Sequence, residues 1–338
     1  MRFPTRAVLP GVVAVSLLTA GATACTYRNS GVQSGSQASS AARTGGGTDL
    51  VDGSRAKVAP VPGGAHPYFQ PWKTTGAAAK KTYGLGAVAF DETAEWDQQK
   101  QNNLLSTLAA RGYNAFGVFG VSPTDINSTF ADLKSQGFPV ASLGSCPAGD
   151  KDAADFRLST DVQLAAYKAA KAAIGAMGGH GVLVHLTGNN VDANTQLRIK
   201  GVARAARETG GKVRLLQTIT GIVATAYNPA VAAADVIRTS GSKAKVIAID
   251  DDAKILSGIR QGTVTATVVQ NPAGQAEIGT WALALLQTRQ CTVRDPGVRV
   301  DSGSFVVDKA NVSAYDTARQ AKTAQLKHQF ADQILTCG

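Results

Sequence analysis

Aromatic side chains are scarce, at 6% of 338 residues, and the chain has two Met, four His and four Cys. The His residues, at 66, 180, 185 and 328, show no metal-ligand spacing. The Cys residues, at 25, 146, 291 and 337, contain no CxxC pair, which excludes a zinc module of that kind. HExxH, a Walker loop and GxSxG are all absent. Gly84-Leu85-Gly86 follows no strand and is no dinucleotide fingerprint. A secreted hydrolase on a doubly wound fold would need a nucleophile, base and acid set that the sequence does not display. The composition implies no metal and no cofactor. The formal net charge is +10, but the basic residues are scattered and form no stripe interleaved with aromatics, which argues against nucleic acid. A weak attraction to anionic envelope surfaces is what that charge implies.

No apolar run reaches the ~20 residues of a comfortable membrane span. The longest, residues 8–22, follows Arg2 and Arg6 and has the length of a signal-peptide core. It ends Ala22-Thr23-Ala24-Cys25, a small-residue cleavage pattern with Cys directly after it. This resembles the bacterial lipobox, with Ala22 in place of the usual Leu, and makes Cys25 the candidate for lipidation. Plain secretion with an incidental Cys25 is the alternative. Residues 26–48 are rich in Ser, Gly, Gln and Ala and read as a flexible tether. The division expected is a signal peptide (1–24), then a lipid-anchored tether and irregular arm (25–81). The arm carries Tyr68, Phe69 and Trp72 between prolines, read as packing on the domain and not as a binding motif. In an oxidising compartment Cys291 and Cys337 can pair and pin the tail, leaving Cys146 outside the pair.

From Gly84 onwards buried strands and helices alternate. Residues 85–90, 115–121 and 139–143 read as strands, with helices over 92–111 and 122–136. A helix over 160–177 opens on the capping box Thr160-Asp161-Val162-Gln163. Strands 181–186, 246–249 and 264–269 follow, with helices over 194–209, 229–238 and 253–262. Another helix from about Gly274 buries Ile278, Trp281, Leu285 and Leu286. After 305–307, residues 312–335 have helical character. The alternation signals parallel sheets flanked by helices. Runs 213–216 and 222–226 are only five residues apart, too close for adjacent parallel strands, so they form a hairpin or one is not a strand.

Residues 255–279, ILSGIRQGTVTATVVQNPAGQAEIG, resemble a stretch of type I, sugar-type periplasmic substrate-binding proteins of ABC importers. Supporting matches are the strand ending on Asp250, residues 127–142 (NSTFADLKSQGFPVAS) and Ser159-Thr160-Asp161. The resemblance covers about two thirds of the chain. It implies an α/β fold of two doubly wound parallel-sheet lobes joined by a hinge of three crossings. Lobe 1 would be 82–159 plus 271–303, and lobe 2 would be 160–270 plus 304–338. One strand–helix unit looks absent from each lobe. The ligand would lie between the lobes at the carboxyl ends of the strands, as in open α/β sheets generally.

The resemblance also implies roles. Gln270 and Asp250 match ligand-contacting positions or else cap strand ends at the hinge. Phe90 and Trp96 are candidates to stack on a sugar ring, with Asp91 and Glu95 as hydrogen-bonding partners, although Trp96 also fits a helix-face core position. Tyr227 or Asn228 falls at the family's ligand Asn. Arg198 matches the second Arg of an Arg-x-Arg, while Gln196 replaces the first. Gly144-Ser145 replaces an Asp-Arg common in sugar binders. Of the three consecutive acids, Asp250 is read as facing the ligand and Asp251 or Asp252 as capping the next helix. His185 reads as a satisfied core residue. The implied protein is a monomeric, extracytoplasmic lipoprotein that takes a sugar or polyol to an ABC permease. A sensory protein of the same fold is the alternative.

Overall fold

The structure, a computed structural model, describes residues 49–50, 52–187, 193–215, 221–240 and 243–338. The expected signal peptide, Cys25 and tether residues 26–48 lie outside them.

The first sheet is built on a strand that lies within the expected irregular arm. In β1 (Lys57–Val61) Val58, Ala59 and Val61 are fully buried. Pro60 disguises it, because proline cannot donate to a ladder. The structure accommodates this through strand length. The Val58 carbonyl accepts from Ala89 on one side of β1, and Pro60 faces that same side two residues on. The neighbour there, β2 (Ala87–Val88), pairs only Lys57 and Val58 and has ended before Pro60. α1 (Gln70–Thr82) lies between β1 and β2 in the chain and buries Trp72. Then come α2 (Gln98–Ala110), β3 (Ala115–Val118), α3 (Ile126–Ser135), β4 (Val140–Leu143) and β5 (Phe156–Ser159). Residues 57–82 therefore supply the strand–helix unit thought absent from lobe 1, and lobe 1 begins before residue 82.

The second sheet repeats the pattern. It uses α4 (Val162–Ala176), β6 (Gly181–Leu186), α5 (Ala193–Arg207), β7 (Val213–Leu215), β8 (Gly221–Ala224), α6 (Tyr227–Ser240), β9 (Lys245–Ile249), α7 (Ala253–Gln261) and β10 (Ala266–Val269). The hairpin expectation fails. β7 and β8 are both strands, both parallel to β6, and lie on opposite sides of it. Their stagger explains how so short a link suffices. β7 pairs Gly181–Leu183 and β8 pairs Leu183–Leu186, so one strand ends level with the start of the other. The gap is two strand spacings, ~10 Å, within reach of six residue steps of ~3.3 Å. Leu216 lies outside the described residues.

The chain continues through α8 (Pro272–Gln287), β11 (Cys291–Val293), β12 (Val298–Asp301), β13 (Phe305–Asp308), α9 (Tyr315–Gln329), a wide helical turn over Phe330–Ile334 and β14 (Leu335–Cys337). Among the described residues the sheet orders are β12-β5-β4-β3-β1-β2 and β13-β10-β9-β8-β6-β7. The two lobes therefore share one order, with the first-entered strand second from an edge. Each sheet carries an apolar core on both faces. Among the described residues no helix is long and apolar enough to cross a membrane.

Among the described residues three crossings join the lobes before the C-terminal tail. β5 leads through Thr160 to α4, β10 leads through Gln270 and Asn271 to α8, and β12 leads through Ser302 to Ser304 into β13. All three leave at the carboxyl ends of strands, with Asp301 beside Ser159 and Phe305 beside Val269. The capping box shifts by one residue. Asp161, not Thr160, caps α4 through the Leu164 amide, because the Thr160 hydroxyl is drawn across to the Gln270 carbonyl.

The tail departs from the expected division. Val312 and Tyr315 pack in the lobe 2 core, but Leu326, Phe330, Ile334 and Leu335 belong to the lobe 1 core. β14 pairs with β11, and Cys291 and Cys337 form a disulfide 46 residues apart in sequence. In the chain-entropy account such a loop stabilises by about 4 kcal/mol. Cys337→Ser should therefore lower the unfolding free energy by up to that amount in urea titrations. The difference should vanish when both proteins are reduced.

Candidate functional site

The carboxyl ends of both sheets face one another across a cleft. On the lobe 1 side the loop after β1, Pro62-Gly63-Gly64-Ala65-His66, leads into Tyr68 and Phe69. Phe69 is buried, with ring centroids 5.0 Å from Trp72, 5.1 Å from Phe119 and 6.2 Å from Trp96. Trp96 is 47% exposed. Its backbone is left-handed, φ 59°, as is that of Glu95, and its amide donates to the Gly63 carbonyl at 2.7 Å. The indole lies on the glycine loop, where a Cβ on Gly64 would come within 2.7 Å of Cδ1. Two consecutive non-glycine residues in this region cost roughly 1–3 kcal/mol each, strain of the kind that collects at functional sites. The buried Gln101 amide fixes the rim by donating to the Phe119 carbonyl and accepting from Val121.

On the lobe 2 side the central group is Asp250, at the end of β9. It is buried, left-handed at φ 69°, and accepts from the Gln270 side-chain amide at 2.7 Å. Burial pushes its carboxyl up to about 7, helped by the charge of Asp251 and opposed by the Gln270 hydrogen bond and by Arg198. Arg198, on α5, has a buried Nε without a hydrogen-bond partner. His185, on β6, lies 2.7 Å from the Thr225 hydroxyl, and burial and Arg198 push its imidazole down to about 4. The left-handed turn at Asp250 sends the next acids in different directions. Asp251 accepts from the Tyr315 hydroxyl. Asp252 accepts from the Tyr227 hydroxyl and caps α7 through the Lys254 amide.

The two sides meet. The rings of His66 (lobe 1) and Tyr227 (lobe 2) are 5.1 Å apart, edge to face. Burial raises the pKa of the Tyr68 hydroxyl, and the charge of Asp250 across the cleft adds to this. Tyr68 donates to Gln275 Oε1 at 3.1 Å.

Of the residues singled out from sequence, the structure gathers Trp96, Arg198, Tyr227, Asp250 and Gln270. Phe90 is half-buried against the lobe 1 core and makes no ring contact in this group. The Asp91 carboxylate folds back onto Thr93, accepting from its amide and hydroxyl, and Glu95 pairs with Lys100. Asn228 is exposed in the first turn of α6. Trp96 precedes α2, so it is not a helix-face core residue. Tyr68, Phe69 and Trp72 pack on the domain as the sequence predicts, Phe69 and Trp72 inside the lobe 1 core and Tyr68 against it, while His66, beside them, escapes sequence reasoning. With β1 as the first strand they occupy the position after the first strand, where the stacking aromatic was sought. The signal available was the apolar run VAPV directly before the aromatics. Among the described residues no group of three or more His, Cys, Asp or Glu could hold a metal ion. Two surface hollows, one lined by α6 and α7 and one by α2 and α3, share no residue with the cleft.

The Asp250 shift fixes a pH dependence. Between its ordinary value of 3.8 and about 7 the folded state holds the proton and the unfolded state has lost it. Stability from this group is therefore full below pH 4, falls as pH rises to 7, and is level above. Asp250→Asn lacks this component. The wild-type-minus-variant difference in unfolding free energy, measured in urea at successive pH values, should decline across that window; a constant difference would contradict the assignment.

Residues 59–290 match the family described as a periplasmic binding protein domain. No curated protein sequence matches the chain. Among solved structures it is similar to an ABC transporter periplasmic solute-binding protein from Actinobacillus succinogenes with bound D-allose. That match has a TM-score of 0.69 and 19% identity, and covers 77% of this chain and 100% of the other. A solute-binding protein from Agrobacterium vitis with bound D-fucose gives a TM-score of 0.69, 19% identity and coverages of 78% and 99%. One from Mycobacterium smegmatis with bound glycerol gives 0.66, 20%, and 77% and 96%.

Proposed function

This chain belongs to the periplasmic binding protein family, and from that premise we propose that it captures a small, neutral, hydroxylated solute between its lobes and presents it to an ABC permease. The observation that carries the reading is the pairing of unlike walls. Lobe 1 offers His66 and Trp96, the latter backed by the buried Phe69, while lobe 2 offers Asp250, Gln270 and Arg198. A sugar or polyol has C–H faces for the rings and hydroxyls for an acceptor and a donor of opposite charge. The buried Asp250 carboxyl, which holds its proton up to about pH 7, and the nearby Arg198 suit hydroxyls better than a second charged group. The sugars and glycerol bound by the similar structures support this class.

In this reading the ligand contacts are Trp96, Arg198, Asp250 and Gln270, joined by His66 and Tyr227 at the rim. Phe90, Asp91 and Asn228 contribute shape and not contacts. The protein acts as a monomer outside the cytoplasm, held at the membrane by a lipid on Cys25 and reaching the permease on its tether. Cys25→Ala should shift it from the membrane to the soluble fraction of cells.

Thermal unfolding across a panel of pentoses, hexoses and polyols tests the reading. A solute at 100 times its dissociation constant should stabilise by about 2.7 kcal/mol. Gln270→Ala and Arg198→Ala should abolish that gain while leaving a cooperative transition. If nothing in the panel moves the transition, solute capture of this class is wrong.

A further inference from the structure

The tail after β13 makes a fourth passage between the lobes, and it is a rigid one. α9 starts in lobe 2. Tyr315 stacks near Phe305, with centroids 6.4 Å apart, and its hydroxyl donates to Asp251, next to the central carboxyl of the cleft. At mid-length the buried Thr323 hydroxyl shares its proton between the Arg319 carbonyl of its own helix, at 3.1 Å, and Asn271 Oδ1 in the second crossing, at 3.3 Å. The helix then enters lobe 1. Leu326 is buried there, Phe330 lies 5.2 Å from Phe156, and Lys327 sits over the rings of Tyr83 and Trp281. The end is pinned by β14 against β11, by Arg294 donating to the Leu335 carbonyl at 2.7 Å, and by the Cys291–Cys337 disulfide.

We propose that α9 is a strap across the hinge that holds the lobes in the arrangement where His66 meets Tyr227, and links Asp251, beside the cleft, to the lobe 1 core. The inference rests on the cleft being a solute site, and names a control on its opening. From Tyr315 to Thr323 the helix runs about 12 Å. With Thr323 at the crossing as pivot, a lobe rotation of about 20° would displace its lobe 2 end by about 4 Å, more than close packing tolerates. Opening therefore requires Tyr315 to leave Asp251 and Phe305. The lobe 2 anchor is the one to give way, because it is small and uncrosslinked, whereas the lobe 1 anchor is covalent.

The test measures the inter-lobe distance by pulsed electron resonance, without solute, between spin labels on p-acetylphenylalanine at Gln99 and Arg260. Both positions are exposed, and this chemistry spares the disulfide. Val312→Ala/Tyr315→Ala should broaden the distribution and lengthen its mean by several ångström, and Tyr315→Phe should give a smaller change in the same direction. A folded double variant with the wild-type distribution would overturn the strap. Should the double variant fail to melt cooperatively, Tyr315→Phe and disulfide reduction of the wild type decide. Lengthening in either supports the proposal, and an unchanged or shorter distance in both defeats it. Because no solute is present, a blank sugar panel leaves this measurement untouched, and the two ideas fail separately.

Discussion

The carbonyl oxygen of Gln270 holds the three crossings together. It accepts from the Thr160 hydroxyl at 2.9 Å and the Ser302 hydroxyl at 3.1 Å, one from each of the other two crossings. Those hydroxyls accept in turn from the Gln275 side-chain amide, at 3.2 and 3.0 Å. One amide group, two hydroxyls and one carbonyl thus close a ring in which both amide protons and both hydroxyl protons are used. Every member is buried. Removing one would leave its neighbours unsatisfied at a cost of roughly 1–3 kcal/mol per group. The ring is therefore a fixed point. Any rotation of the lobes would have to be absorbed beside it, where Asn271 and Gly303 have left-handed backbones. Gly274 shows how tightly this corner is built, since a Cβ there would lie 2.3 Å from Asn271 Nδ2.

The same ring connects the hinge to the cleft. Gln270 uses its backbone for the crossings and its side chain for Asp250, so the position of the central carboxyl is set by the hinge. Gln275 uses its nitrogen for the ring and its oxygen for Tyr68, so the lobe 1 rim is held from the same place. Three consecutive acids can lie at such a spot because Asp250 is left-handed and each acid has its own donor. Gln270 serves Asp250, Tyr315 serves Asp251, and Tyr227 together with the Lys254 amide serves Asp252. Without that turn, alternate side chains of an extended chain would place Asp250 and Asp252 on one face.

The strands and helices from residue 84 onwards are legible in sequence because most are buried runs punctuated by Gly, the pattern of a parallel sheet covered on both faces. Asp250 and Gln270 are visible as polar ends of buried strands, whereas Arg198 is singled out only by the resemblance to the family's Arg-x-Arg. What was hidden has specific causes. β1 contains Pro60, and its tolerance depends on β2 being too short to need the missing donor, which is a property of a neighbouring strand. The β7–β8 step depends on a stagger that local sequence does not record. His66 and Phe69 seemed part of an arm because their strand had been misread. Thr160 has the sequence of a cap and the job of a crossing, since a hydroxyl can serve either and only the tertiary structure decides.

The tail shows the same dependence at larger scale. Its periodic Leu326, Phe330 and Ile334 announce a helix with one apolar face but not which lobe receives that face. Lobe 1 receives it because α8, leaving the second crossing, lies against that lobe and offers Trp281 and its neighbours as the facing surface. Once Leu326 is seated there, Tyr315, three turns earlier, is carried back over lobe 2 to Asp251. Asp251 and the terminal disulfide are thus linked by one stretch of helix, and the surroundings of Asp250 depend on residues that come after β13.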